Sequence, residues 1–264
     1  MEGKRPIRSL IAHGIMPTKM QLSSARYEPN QHINGLIHMV TSSKIKAAVK
    51  DRGADLCGIA PVDRFKSAPK GFHPKDIYEK CKSVLAFAKR LPTESLFASS
   101  CIPYTHLNNL ITKEVDRLTL ELSLELEELG IHNVPIPSDD PYEHWVPHDS
   151  YGRAILSLRH AGHLAGLGVL GKNTLLINRD FGNMIQLGAI LLDAELEGDP
   201  IASYTGCPSE CTLCLEACPP SALNGKTVDQ KLCRPLSNYM NEKGYNLKKC
   251  YLCRKICPNH SGLK

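Results

Sequence analysis

The chain has 264 residues, 11 of them cysteine, and its 32 Lys and Arg against 27 Asp and Glu give a net charge of +5. That length suits one medium domain plus a smaller module; no apolar run approaches the ~18 residues of a membrane span and the first 25 residues lack a signal-peptide core, so a soluble, cytoplasmic protein is the expectation. The excess charge is confined to the tail, where residues 240–264 hold six Lys/Arg and one acid, Glu242, which excludes a global polyanion-binding surface and leaves a local docking patch.

Residues 1–38 are polar and basic and read as an N-terminal arm. Ser42 and Ser43 cap a short helix that runs to about Arg52 and ends at Gly53. The stretches "DLCGIAPV" (55–62) and "SVLAFAKRL" (83–91) read as buried strands separated by a loop punctuated with Pro and Gly. The longest helix covers about 105–129, because Leu107, Ile111, Val115, Leu118, Leu122, Leu126 and Leu129 recur every three or four positions and Gly130 supplies a stop. "NVPIP" (133–137) follows as a short strand, then a loop rich in Pro, Asp and His up to Ser150. A second helix is predicted over 153–165, with "TLLIN" and "MIQLGAILLD" as strands joined across the turn "RDFGN". The fold class is thus α+β (mixed α/β) over 39–198, followed by a cysteine-rich module over 199–264.

The stretch "AGLGVLGKNT" (165–174) satisfies G-x-G-x-x-G and the G-x-x-x-x-G-K start of a P-loop. Both motifs require a strand before the glycines and a helix after them, so that phosphate meets free helix N–H groups. Here the predicted order is reversed, and Asn173 stands where a P-loop has Ser or Thr. The glycines therefore read as a helix-to-strand turn in which positive φ and close backbone approach are needed.

Eight of the eleven cysteines lie between Cys207 and Cys257. Without a secretion signal such crowding reads as metal ligation. Cys207, Cys211, Cys214 and Cys218 are spaced x3, x2, x3 before Pro219; Cys250, Cys253 and Cys257 are spaced x2, x3 before Pro258. This approximates the ferredoxin run C-x2-C-x2-C-x3-C-P written twice. Three cysteines on a tight loop reach three irons of one cube, and the fourth, before Pro, starts a helix leading away and ligates the other cube. On that logic Cys207, Cys211 and Cys214 act with Cys257, and Cys250 and Cys253 with Cys218. Leu247 stands where the second run lacks its first cysteine, and Cys233, the remaining nearby thiol, completes that set. Two [4Fe–4S] clusters in a ferredoxin-like double module are the expectation; the alternative is a pair of four-cysteine zinc sites. Cys57, Cys81 and Cys101 fall in or near apolar strands and read as ordinary buried residues.

Over "LSLRHAGHLAGLGVLGKNTLLINRDFGNMIQLGAILLDAEL", "CTLCLEACP", the lone Cys233 after "QKL", and "CYLCRKICP", the chain resembles the epoxyqueuosine reductases and, more distantly, the reductive dehalogenases. The resemblance runs from about Ser42 to Pro258. It implies a corrinoid (cobalamin) in the N-terminal domain, reduced through paired clusters that a ferredoxin- or flavodoxin-type donor feeds. It also implies removal of an epoxide oxygen from a modified tRNA base, which takes two electrons and two protons. It places Gly166, Gly168, Gly171, Lys172 and Asn173 near the corrinoid. Asp149 matches the family's catalytic acid across a gap of three residues; without the gap Gly152 takes that place. The alternative role for Asp149 is to cap the helix after it, and Tyr104, His148 and His160 are further acid candidates. Family members continue into a helical-repeat domain that helps hold tRNA, whereas this chain stops seven residues after Cys257. A small-molecule substrate is therefore expected rather than tRNA. The alternative function is a two-cluster electron-transfer protein that docks a partner enzyme and holds no corrinoid.

Overall fold

A computed structural model describes residues 41–146, 148 and 151–264; the arm expected over 1–38 and the candidate acid Asp149 lie outside them. Helix α1 (Ser42–Asp51) is capped by Thr41, whose Oγ1 accepts from Lys44 N at 3.4 Å, rather than by Ser42 or Ser43. A cap needs extended backbone, which Thr41 has at φ −99 and ψ 154, while the two serines are already helical. Strand β1 (Leu56–Pro61) pairs antiparallel with β2 (Ser83–Arg90), and a short helix, α2 (Pro74–Ile77), lies on the connection. Helix α3 (Ile102–Glu128) buries Ile111, Val115, Leu118, Leu122 and Leu126, the stripe expected from the spacing. It stops where Gly130 takes φ +78 and Ile131 N closes onto Leu126 O.

Strand β3 (Asn133–Ile136) is followed by a hairpin of β4 (His144–Val146) and β5 (Tyr151–Arg153), helix α4 (Leu158–Leu164), a second hairpin of β6 (Val169–Leu170) and β7 (Leu176–Ile177), and the long strand β8 (Ile185–Leu192). The central sheet has the order β1-β2-β8-β3, and every neighbouring pair is antiparallel. The alternation along β2 explains the layering. Val84, Ala86 and Ala88 turn to one face, where they meet Ala161, Ala165, Leu167 and Leu176. Leu85 and Phe87 turn to the other, against Ile45 and Val49 of α1 and Val115, Leu118 and Leu122 of α3. A strand covered on both faces reads as a continuous apolar run, and each large side chain buried there contributes about 1.5–3 kcal/mol. In β8, a Cβ on Gly188 would come within 2.5 Å of Phe87 and 2.8 Å of Val115, so glycine is what lets α3 lie this close to the sheet.

Three expectations are corrected. The helix predicted over 153–165 begins only at Leu158, because Gly152 is drawn into β5: the Gln230 side-chain amide accepts from its N and donates to its O, both at 3.0 Å. That partner lies far along the chain, so no local pattern signals it. The strands in "TLLIN" and "MIQLGAILLD" do not pair with each other; β7 pairs with β6, and β8 joins the central sheet. The "RDFGN" turn instead closes on itself, with Asn178 and Gly182 exchanging backbone hydrogen bonds of 2.8 and 3.0 Å.

The third concerns the cysteine-rich segment. It comprises α5 (Leu213–Glu216), α6 (Gln230–Ser237), the hairpin β9 (Tyr239–Met240) with β10 (Asn246–Leu247), and α7 (Leu252–Lys255). No helix starts at Cys218 or Cys257: α5 and α7 precede these residues, and tight turns follow, with Ser221 N bonding Cys218 O and His260 N bonding Cys257 O, each at 3.0 Å. Among the described residues no helix is long and apolar enough to cross a membrane.

Candidate redox site

The glycine stretch follows a helix and precedes a hairpin. After α4, Gly166 turns at φ +79, Leu167 N bonds Gly162 O at 2.8 Å, and β6 begins two residues later. The element that follows the glycines is a hairpin and not a helix, so the nucleotide motifs lack the helix N–H donors they require. A Cβ on Gly166 would sit 2.2 Å from Pro200 O, and one on Gly168 2.5 Å from Ile177 O. These glycines therefore admit the chain's own backbone, and neither they nor Gly171 line the large cleft described below.

Lys172 and Asn173, at the tip of this hairpin, reach the cysteine-rich segment. Lys172 Nζ donates to the carbonyls of Pro208, Ser209 and Cys211 at 3.3, 2.5 and 2.9 Å, and its backbone N donates to Cys207 Sγ at 3.5 Å. Asn173, 3% exposed, donates through Nδ2 to Cys253 O at 3.0 Å and accepts from Leu175 N at 3.1 Å. One tip thus braces both cysteine runs. Asn183, which the sequence does not single out, adds a bond to Arg254 O at 3.3 Å.

The thiols bear on one another in two neighbourhoods, which meet where Cys214 acts on Cys253. Burial pushes the Cys214 thiol up, and its neighbours Cys207, Cys211 and Cys257 raise it further. Cys257 is likewise raised by burial and by Cys207 and Cys211. In the other set burial raises Cys233, beside Cys250 and Cys218, and pushes Cys253 up to about 11, beside Cys233, Cys250 and Cys214. All eight are free thiols. Yet no three or more His, Cys, Asp or Glu among the described residues converge closely enough to hold one ion. Zinc would draw four sulfurs onto bonds of about 2.3 Å around a single point.

A cleft of about 1030 Å³ runs between the α/β layers and the cysteine-rich segment. Cys233, Cys250 and Cys253 line it; Cys207, Cys211, Cys214 and Cys257 do not. Leu156, Leu158, Leu176 and Leu187 supply apolar wall, and Thr174 and Leu175, just past the glycine stretch, reach it where the glycines do not. Tyr142 OH donates to Asp139 Oδ1 at 2.6 Å, and burial together with that bond pushes the phenol up to about 12. Burial, then the neighbouring Asp139, raises the carboxyl of Asp140. Burial lowers Lys248, whose Nζ donates to Asn238 Oδ1 at 2.6 Å, and Arg159, whose Nη1 donates to Thr174 O at 3.0 Å. Arg234 lies 5.2 Å over the Tyr142 ring and 5.0 Å over Trp145.

Of the acid candidates, Asp149 is outside the described residues. At Gly152 a Cβ would meet the Trp145 ring at 3.0 Å and Arg234 at 3.3 Å, so a carboxylate there would have to displace the indole. Tyr104 does line the cleft, its ring centroid 4.2 Å from that of Tyr251. His148 is exposed, and His160 bonds Ser157 Oγ at 2.7 Å; neither lines the cleft.

No family model matches the chain. It is 35% identical over 264 aligned positions to the epoxyqueuosine reductase of Leadbetterella byssophila, covering 83% of this chain and 80% of that protein. Other curated epoxyqueuosine reductases match over shorter stretches, and the chain spans only about a third of their length. Two solved structures share the fold. An epoxyqueuosine reductase with an epoxyqueuosine-modified tRNA stem loop superimposes with a TM-score of 0.54 at 18% identity, over 88% of this chain and 68% of that one. A catabolic reductive dehalogenase in complex with 3-bromo-4-hydroxybenzoic acid superimposes with a TM-score of 0.58 at 18% identity, over 81% and 31%.

Proposed function

We propose, for a chain that belongs to the epoxyqueuosine reductase family, that Cys207, Cys211, Cys214 and Cys257 hold one [4Fe–4S] cluster, that Cys218, Cys233, Cys250 and Cys253 hold a second, and that the cleft binds what is reduced, a corrinoid or the substrate itself. When bound, the clusters supply one-electron transfer at low potential and a corrinoid supplies a strongly reducing cobalt. The observation that carries this reading is the asymmetry of the two cysteine sets: three members of the second line the cleft and the named ligands of the first do not. The second set thus faces the acceptor and the first faces the source.

The chain's own residues perform three tasks. Lys172 and Asn173 fix the backbones of both cysteine runs, so the two sets keep one separation. The four leucines of the wall exclude water from a space at the upper end of the ~300–1,000 Å³ usual for small-molecule sites, which suits a large planar ligand. Protons come from carboxylic acids: Asp149 is proposed from the resemblance alone, and Asp140, which lines the cleft, is a second source, its carboxyl raised by burial and Asp139. Removal of an epoxide oxygen consumes two of them with the two electrons.

The test is an oxygen-free preparation reconstituted with iron and sulfide. It should bind about eight irons per chain, absorb near 400 nm and give a paramagnetic signal after dithionite. Hydroxocobalamin should co-elute with it. The substrate class in the family's name makes an epoxyqueuosine-modified tRNA stem loop the first to assay, against the expectation of a small-molecule substrate, with small epoxides beside it. A colourless, zinc-loaded protein would refute the proposal. A protein with both clusters, no bound corrinoid and no turnover would be a carrier for a partner enzyme.

A further inference from the structure

We infer that the surface formed by Phe97, Leu252, Lys255, Ile256 and His260 is the docking face for an acidic, low-potential redox protein that reduces this chain; the inference rests on the two-cluster reading above. Leu252, Lys255 and Ile256 stand three and four positions apart and so share one face of α7 and its end. Leu252 is 40% and Ile256 43% exposed. Phe97, after the 3-10 turn Thr93–Leu96, is 49% exposed and joins them: Lys255 Nζ lies 5.3 Å over its ring, and the His260 ring meets it edge-on at 5.6 Å. An exposed apolar group with a basic rim has the anatomy of an interface centre rather than of ordinary surface.

Its position says what docks there. Ile256 is the chain neighbour of buried Cys257, a member of the set that does not line the cleft. Electrons bound for the cleft enter through the set that does not line it, and at Ile256 this face adjoins a cysteine of that set, while Leu252 adjoins Cys253 of the set that does. Its charge says what kind of protein. Residues 240–264 hold six Lys/Arg against Glu242 alone, and among the described residues Lys255 has no carboxylate partner. A cluster held by four thiolates is anionic and repels an acidic carrier; an unpaired ammonium beside it offsets that repulsion and steers the encounter.

The experiment uses the reconstituted full chain and, as probe, a chemically reduced plant-type [2Fe–2S] ferredoxin, mixed in an anaerobic stopped-flow instrument. Lys255→Glu should slow the second-order reduction about ten-fold at about 0.05 M NaCl, and the wild-type rate should fall by a similar factor as NaCl rises to about 0.5 M. Phe97→Ala should slow it severalfold while leaving the salt dependence in place. Lys243→Glu, the same charge change on the loop joining β9 and β10, should leave the rate unaltered. Reduction by dithionite, which needs no docking, should reach the same extent in every variant, and iron content should match. Wild-type rates in both Lys255→Glu and Phe97→Ala, or an equal loss in Lys243→Glu, would overturn the docking face. A wild-type protein that dithionite cannot reduce would instead remove the cluster reading beneath it, and the two failures are told apart in one experiment.

Discussion

Replacing Asn173 with alanine tests whether the hairpin tip holds the second cysteine set in place. The Asn173 side chain is almost fully buried and makes two hydrogen bonds, donating to Cys253 O at 3.0 Å and accepting from Leu175 N at 3.1 Å. Alanine removes both partners at once and leaves a carbonyl and an N–H facing a small void. A buried group left without its partner costs about 1–3 kcal/mol, and the void left by Asn173 admits some relaxation, so the loss should be about 2–4 kcal/mol. For a chain of this size that corresponds to a fall in Tm of about 4–16 °C. Differential scanning calorimetry of anaerobic protein, with and without reconstituted iron, measures it. The second readout is specific: the bond fixes the carbonyl of a proposed ligand, so Asn173→Ala should also release iron faster to a chelator. A variant within about 0.5 kcal/mol of wild type, with unchanged iron release, would refute the brace.

Lys172→Met removes three bonds to the carbonyls of Pro208, Ser209 and Cys211 and should selectively loosen the first set, so that iron lost to a chelator leaves the second cluster's signal in place. Cys233→Ser should halve the iron, from about eight to about four per chain, and abolish spectral change on adding an acceptor to the cleft while dithionite still reduces the first cluster. Asp140→Asn has a pH signature. The folded carboxyl is raised by burial and Asp139, so the native state holds its proton more tightly than the unfolded chain, and stability falls as pH rises through the interval between the two values. The variant should therefore gain stability relative to wild type at pH 7 and show no gain near pH 3, below the ordinary Asp range of about 3.9, as read by urea midpoints at both pH values.

Much of the fold was legible because it rests on local periodicity. The apolar stripe of α3 and the run of β2 gave helix and strand directly, since a helix against a sheet and a strand covered on both faces each leave a characteristic pattern. What was hidden depends on partners distant in sequence. The pairing of β8 with β2 and β3 rather than with β7 is a choice among apolar strands that share one composition. The late start of the second helix, at Leu158 instead of 153, follows from the strand at 151–153 that Gln230 holds through Gly152. In the site, cysteine spacing singled out thiols that bear on one another electrostatically in the fold, because short intervals along the chain keep side chains near each other. The brace by Asn173 and the stacking of Arg234 on Trp145 left no spacing signal, as each is a single side chain meeting a remote partner.

The glycines that suggest a nucleotide and the lone cysteine that breaks the ferredoxin pattern belong to two elements that each contribute residues to the cleft, Thr174 and Leu175 from one and Gln230, Cys233 and Arg234 from the other. Glycine at 166 and 168 allows the chain to pass within van der Waals reach of Pro200 and Ile177, and this close passage is what projects Lys172 and Asn173 onto both cysteine runs. Helix α6 carries Gln230, Cys233 and Arg234, three and four positions apart and hence on one face. That face holds Gly152, contributes a thiol to the second set, and covers Tyr142 and Trp145. A cysteine drawn from a separate helix, instead of from the second run, therefore ties the second set to the hairpin at the cleft's edge. A protein that only passes electrons to a partner has no need of that link; under the proposal above, a reductase that brings its own acceptor up to the second cysteine set does.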